Sequence, residues 1–268
     1  QWGFLKGAAK NNATAERRRV EGIEYTVLSF SPTVKAPSGA AYRVNAYVNG
    51  ENLIERVETW LGENIMGDMH IVATYSGYRD FKGAVVPTRI VQTRGGWPSF
   101  EVDVADARAN PSDAASLAPA PANRPGGPGG GGQPQQLTIT KEQLGEGLYR
   151  YTTGQGSYDS LVVEFDDYIM LLEAGQSQAR AQLYVDEIKR QFPGKPIRYV
   201  MNTHAHSDHS PGLPVLIAEG ATLITHENNR EFFERALNTP RTLLDDALSR
   251  NPRRGRVGSV TAKRVYTA

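Results

Sequence analysis

The chain has 268 residues, 39% hydrophobic and 22% charged, a composition with enough apolar material for two modest cores and too long a chain for one small domain. Thirty basic against 29 acidic side chains leave a formal net charge of +1, which excludes a broad electrostatic attraction for nucleic acid or an anionic membrane. The absence of cysteine removes disulfides, thiolate ligands and a thiol nucleophile, and no apolar run reaches the ~18 residues of a bilayer span.

In chain order, short alternating runs come first, at 23–30, 42–48, 53–59, 70–76, 88–93 and 100–105. They predict an antiparallel β-meander over residues 1–109, with Asn49-Gly50 as a tight turn of positive φ and further turns at 80–83 and Arg94-Gly95-Gly96. His70 alternates with Ile71 and Val72 and reads as a packing or hydrogen-bonding histidine, while Arg17-Arg18-Arg19 reads as solvated surface. Residues 110–136 hold Pro125-Gly126-Gly127-Pro128, four consecutive glycines and almost no large apolar side chain. Such a stretch cannot bury enough surface to offset its backbone entropy, so a disordered tether is expected there.

Residues 137–268 form the second predicted domain, and here the hydrophobic period changes. Strands are expected at 149–152, 160–165 and 168–173, with Asp166-Asp167 as the turn between the last two. An amphipathic helix at 177–192, with Ala179, Leu183, Ile188 and Phe192 on its apolar side, is stopped by Pro193-Gly194. A strand at 197–201, a polar loop, a short helix at 213–219, a strand at 222–225 and a helix at 242–249 complete the order. Strands passing into a βαβ alternation define an α+β chain.

The polar loop runs Asn202-Thr203-His204-Ala205-His206-Ser207-Asp208-His209-Ser210-Pro211-Gly212, with three of the chain's five histidines inside six positions. On an extended segment alternate residues share a side, so His204, His206 and Asp208 can converge while a turn brings His209 in from another direction. Imidazole nitrogen and carboxylate oxygen suit zinc or iron better than calcium or magnesium, so His204, His206, Asp208 and His209 are the candidate metal ligands, with one or two zinc ions, or iron, as cofactor. Asp208 is also the candidate catalytic group, orienting a metal-activated water and relaying its proton. Ser207 and Ser210 lack the Gly-x-Ser-x-Gly setting of a serine nucleophile. His226 reads as a strand-end structural residue, and Asp245 and Asp246 as the solvated face of a helix.

The His204-x-His206-x-Asp208-His209 motif, with the strand at 194–203 before it and Glu219-Gly220-Ala221-Thr222-Leu223-Ile224 after the first helix, resembles the metallo-β-lactamase superfamily over about half the chain. The resemblance implies the first half of an αββα sandwich, with His204 and His206 on a first metal and Asp208 and His209 on a second. It also implies a metal-dependent hydrolase acting through activated water on an ester, lactone, amide or related bond of a small molecule. Relatives with this motif include iron-dependent oxygenases of sulfur compounds. Where the family usually carries an aspartate turn, this chain has Glu173-Ala174-Gly175, whose longer carboxylate is placed to support the metal loop or a histidine and not to ligate. The family's later ligands have no evident counterpart before Ala268, so a fragment with an exposed apolar edge is expected.

More loosely, residues 78–87 leading into Arg89-Ile90-Val91 resemble the curved sheets of lipoprotein-carrier-like envelope proteins, which leaves a second reading: a non-catalytic envelope binding protein with a vestigial or structural metal loop. Arg253, Arg254, Arg256, Lys263 and Arg264 lack the aromatic interleaving of a nucleic-acid surface, so no nucleic-acid partner is expected. Localisation is open, with a periplasmic or secreted setting preferred, and the oligomeric state is unspecified.

Overall fold

The computed structural model describes residues 2–113, 116, 137–154 and 158–261, so most of the tether expected at 110–136, together with Lys263 and Arg264, lies outside the described residues. The chain divides into two compact units. One takes Gln1–Thr33, Tyr42–Trp60 and His70–Gln136, and the other Val34–Ala41, Leu61–Met69 and Leu137–Ala268.

The first unit contains helix α1 (Trp2–Lys10) and most of a seven-stranded sheet, of which residues 61–69 belong to the second unit. Its strands are β1 (Thr14–Val20), β2 (Ile23–Phe30), β3 (Val44–Val48), β4 (Ile54–Glu63), β5 (Gly67–Phe81), β6 (Ala84–Arg94) and β7 (Trp97–Asp103). They lie side by side in chain order, the arrangement short hairpin connections produce. Strand β1 escapes the alternation rule because its sequence, Thr-Ala-Glu-Arg-Arg-Arg-Val, is polar on both faces. It pairs along its whole length with β2, through a turn at Glu21 (φ +51°) and Gly22 (φ +85°). The turns Lys82-Gly83 and Gly95-Gly96 adopt the positive φ values that two-residue hairpins require.

The tight turn expected at Asn49-Gly50 is replaced by a longer loop. The Asn49 amide donates to the Leu53 carbonyl at 2.9 Å, and the Asn49 side-chain oxygen accepts from Glu51 and Leu53. The residue with positive φ is therefore Asn52, at +62°, because the asparagine side chain bridges the turn and moves its tightest point along the chain.

Buried on the first sheet, the Glu58 carboxylate accepts hydrogen bonds from Asn45 (3.0 Å), Tyr47 (2.6 Å) and Arg56 (3.0 Å). Burial would raise its pKa, but these donors outweigh burial and hold it at about 2. His70 approaches the same carboxylate at 3.1 Å and stacks on Trp60, with ring centroids 4.6 Å apart, so it is a hydrogen-bonding and packing residue as its alternation implied.

In the second unit the elements are β8 (Thr140–Gly145), β9 (Leu148–Thr152), β10 (Ser160–Glu164), β11 (Ile169–Leu172), α2 (Gln178–Gln191), β12 (Ile197–Met201), α3 (Leu213–Ala218), β13 (Thr222–His226), α4 (Glu227–Ala236), α5 (Ala247–Arg250) and β14 (Val257–Val260). The sheet order is β14-β13-β12-β11-β10-β9-β8. Hairpins make β8 to β11 antiparallel, and helical crossovers make β11 to β14 parallel. The chain is thus α+β, with two sheets and helices.

Helix α2 is capped by Ser177, whose hydroxyl accepts from the Arg180 amide. It buries Ala181, Tyr184, Val185 and Ile188, a stripe rotated from the expected Ala179–Leu183 side, of which Ala179 is exposed. These side chains pack with Leu171, Val200, Leu216 and Leu223 in one core, to which the 61–69 segment contributes Ile65.

The helix expected at 242–249 begins only at Ala247, and its Asp246 is buried and not on a solvated face. The physical reason is competition for backbone donors: the amides of Thr242 and Leu243 go to the Asp68 carboxylate, while Asp246 caps the shorter helix through Ser249. Asp246 also pairs with the buried Arg241, whose guanidinium donates to the carbonyls of Asn64 and Ile65. Asp245 is exposed and pairs with Arg250. Among the described residues no helix is long and apolar enough to cross a membrane.

Candidate metal centre

The loop 202–212 leaves the C-terminal end of β12, whose neighbours β11 and β13 run parallel to it. Open sheets with parallel strands place their binding residues at this edge, where the chain turns from strand to helix. The loop folds tightly on itself. The amides of His209 and Ser210 both donate to the His206 carbonyl, at 3.0 and 3.1 Å, and the buried Ser210 hydroxyl donates to the His204 carbonyl. Ser210 is thereby a strut of the loop. Asn202, also buried, donates its side-chain amide to the His209 carbonyl at 3.2 Å.

Gly212 closes the loop at the start of α3. A Cβ there would sit 2.0 Å from the Ala174 carbonyl oxygen, so only glycine permits this approach to the turn after β11. That turn carries Glu173, held at φ +66° with its amide bonded to the Met201 carbonyl and its own carbonyl accepting from the Ser160 hydroxyl. One carboxylate oxygen of Glu173 accepts from the Thr203 amide at 2.8 Å, and the other lies 3.2 Å from Nδ1 of His209. Glu173 therefore supports both the loop backbone and a histidine.

The four motif residues are not equivalent. One atom each of His204, Asp208 and His209 lies within 4.8 Å of the others, a compact three-donor focus. His206 stays outside that group, exposed and edge-on to the His204 ring at 4.6 Å between centroids. The Nδ1 atoms of two imidazoles are already engaged, that of His209 by Glu173 and that of His204 by the Thr203 hydroxyl at 2.9 Å. An imidazole whose Nδ1 is tied to a carboxylate or hydroxyl presents Nε2 as its ligand atom, and metal-binding histidines are oriented in this way. Two oriented imidazoles and a carboxylate at one focus fit a divalent transition ion, so the residues present suit the group they are expected to hold.

Tyr158 belongs to the site although nothing in its sequence setting marks it. Its hydroxyl donates to Asp208 Oδ2 at 3.0 Å and its ring stacks on His209, with centroids 4.6 Å apart. The Tyr158 hydroxyl, aided by the His209 and His206 imidazoles, holds the Asp208 carboxyl below the usual carboxylate range. His226 lies apart from the focus in its role: its Nδ1 accepts from the Asn228 amide and caps α4.

Comparison with known proteins agrees with the resemblance to that superfamily. Residues 153–239 match the family model of the metallo-beta-lactamase superfamily. Among solved structures, the chain is similar to a metallo-beta-lactamase from Hirschia baltica at 25% identity (35% of this chain, 46% of that one, TM-score 0.31). It is also similar to the metallo-beta-lactamase FIM-1 from Pseudomonas aeruginosa in a mono-zinc form at 21% identity (41% and 51%, TM-score 0.34). A third is a metallo-beta-lactamase from Pontibacter korlensis at 16% identity (35% and 46%, TM-score 0.32). The chain spans about half the length of these structures, and no curated protein matches it. The matched segment contains the whole histidine loop, so it is this part of the chain that is similar to the metallo-β-lactamase superfamily.

Proposed function

We propose that this chain belongs to a metal-dependent hydrolase in which His204, Asp208 and His209 hold a zinc ion, with His206 alongside as the ligand of a further position. The observation that carries the reading is the orientation of the imidazoles: Glu173 and Thr203 engage Nδ1 of His209 and His204, leaving both Nε2 atoms for a common ligand beside Asp208. A bound divalent ion supplies Lewis acidity, lowering the pKa of water from 15.7 to about 7 and polarising the bond under attack. The Asp208 carboxylate, held by the Tyr158 hydroxyl, would orient the attacking water and take its proton. Glu173 keeps His209 from rotating, and the exposed edge of the loop, with His206 and Asp208 facing solvent, gives a small-molecule ester, lactone or amide direct access. The superfamily's αββα sandwich supplies the architecture for this reading, with the sheet of β8 to β14 as its first half.

The test is elemental analysis of the purified full chain together with turnover of an ester, lactone and amide panel. One to two zinc or iron ions per chain, and loss of both metal and turnover in His204→Ala and His209→Ala, are expected. A metal-free chain that turns over nothing after incubation with zinc overturns the proposal.

A further inference from the structure

A second site lies at the other edge of the same sheet. The metal loop leaves the C-terminal end of β12, whereas α4 returns the chain to the N-terminal ends of the parallel strands, and residues 252–256 lead from there into β14. Between the end of α4 and that segment is a cavity of about 510 Å³, inside the roughly 300–1,000 Å³ range of small-molecule sites. Its apolar wall includes Leu237, Pro240, Leu248 and Pro252. Its charged lining is Arg241, Arg253 and Arg254, with no Asp or Glu among the described residues that line it.

These arginines differ in kind. Arg241 is neutralised by Asp246 and belongs to the framework. Arg253 and Arg254 are exposed and have no hydrogen-bond or ion-pair partner among the described residues, in a chain where most other described cationic side chains of this unit are paired. The segment that carries them is nevertheless pinned on both sides. Before it, the Asn251 side chain donates to the Ala218 carbonyl at 2.8 Å. After it, Gly255 and Asn238 exchange two hydrogen bonds, and a Cβ on Gly255 would lie 2.6 Å from the Leu237 Cβ. Arg256 then donates to the Gly220 carbonyl at 2.8 Å. Two arginines without a partner among the described residues, carried on a backbone pinned beside an apolar cavity and with the Arg253 guanidinium next to Gly220, can turn their guanidinium groups onto an anionic head whose apolar body fills the cavity.

We infer that this cavity binds a small organic anion, an aryl or alkyl phosphate or carboxylate, with Arg253 and Arg254 on the anionic head and the Leu237–Pro240–Leu248–Pro252 wall on the body. The site is separate from the histidine loop and does not rest on the proposed hydrolysis.

Calorimetric titration of the full chain tests it, with phenyl phosphate, benzoate, inorganic phosphate and benzyl alcohol as probes. Saturable binding of phenyl phosphate or benzoate is expected, at least tenfold tighter than inorganic phosphate or benzyl alcohol. The double variant Arg253→Ala/Arg254→Ala should weaken it at least tenfold while melting at the wild-type temperature. Because a phosphate ester could also visit the metal loop, the His204→Ala/His209→Ala variant is titrated in parallel, and it should keep the wild-type affinity. Absence of saturable binding at millimolar probe, undiminished binding in the arginine variant, loss of binding in the histidine variant, or equal binding of the neutral alcohol overturns the inference.

Discussion

Glu173 lies thirty positions before Thr203 and thirty-six before His209, yet its two oxygens govern the backbone at the start of the metal loop and the rotation of the loop's last imidazole. Its own backbone is in the left-handed region, at a cost of order 1 kcal/mol that the bonds from Ser160 and to Met201 help to offset. Replacing Glu173 by Gln keeps the shape but removes the charge facing Nδ1 of His209. Zinc affinity should fall by 10- to 100-fold with little change in melting temperature, measured by competition with a chromophoric chelator. Unchanged affinity would show that His209 needs no such partner. The glutamate is visible in the sequence as a departure from the family's aspartate turn, whereas Tyr158 is invisible there, since one tyrosine in a polar stretch carries no periodicity and no spacing.

At the scale of elements, the metal loop depends on how closely the start of α3 approaches the turn after β11. Gly212 makes that approach possible, and in Gly212→Ala the new methyl group would overlap the Ala174 carbonyl and press on Ala181 of α2. A loss of about 1–3 kcal/mol is expected, with reduced metal retention, checked by urea unfolding and elemental analysis. A variant as stable as the parent would mean that the turn and helix can separate without consequence. Elements with a strong apolar pattern were legible: Ile23–Phe30 and Ile197–Met201 form strands over the predicted residues, and α2 lies within the predicted 177–192, ended before Pro193-Gly194. Strands β1, β8 and β14 were not, because edge strands with polar or small residues form through pairing with a neighbour and not through a buried face.

At the scale of the molecule, the unit that carries the metal loop is assembled from three separated stretches of chain. Arg241 ties two of them together, donating to the Asn64 and Ile65 carbonyls while paired with Asp246, both side chains being almost fully buried. Asp246→Ala leaves that guanidinium buried and unpaired, a loss of about 3–5 kcal/mol. Denaturant unfolding of the full chain measures it, and a change below ~1 kcal/mol would show that water reaches the pair. The sequence by itself determined the α+β order of strands and helices, the resemblance to a superfamily and the loop that carries the candidate ligands, because periodicity, turn residues and a dense motif are local properties. Only the tertiary structure decided which candidate ligands share a focus, that Asp246 is an internal cap and ion partner, that Glu173 holds His209, and that two arginines without a partner among the described residues line a cavity. Each of these depends on which donor or acceptor wins among groups far apart in the chain, and that competition is settled by burial and packing.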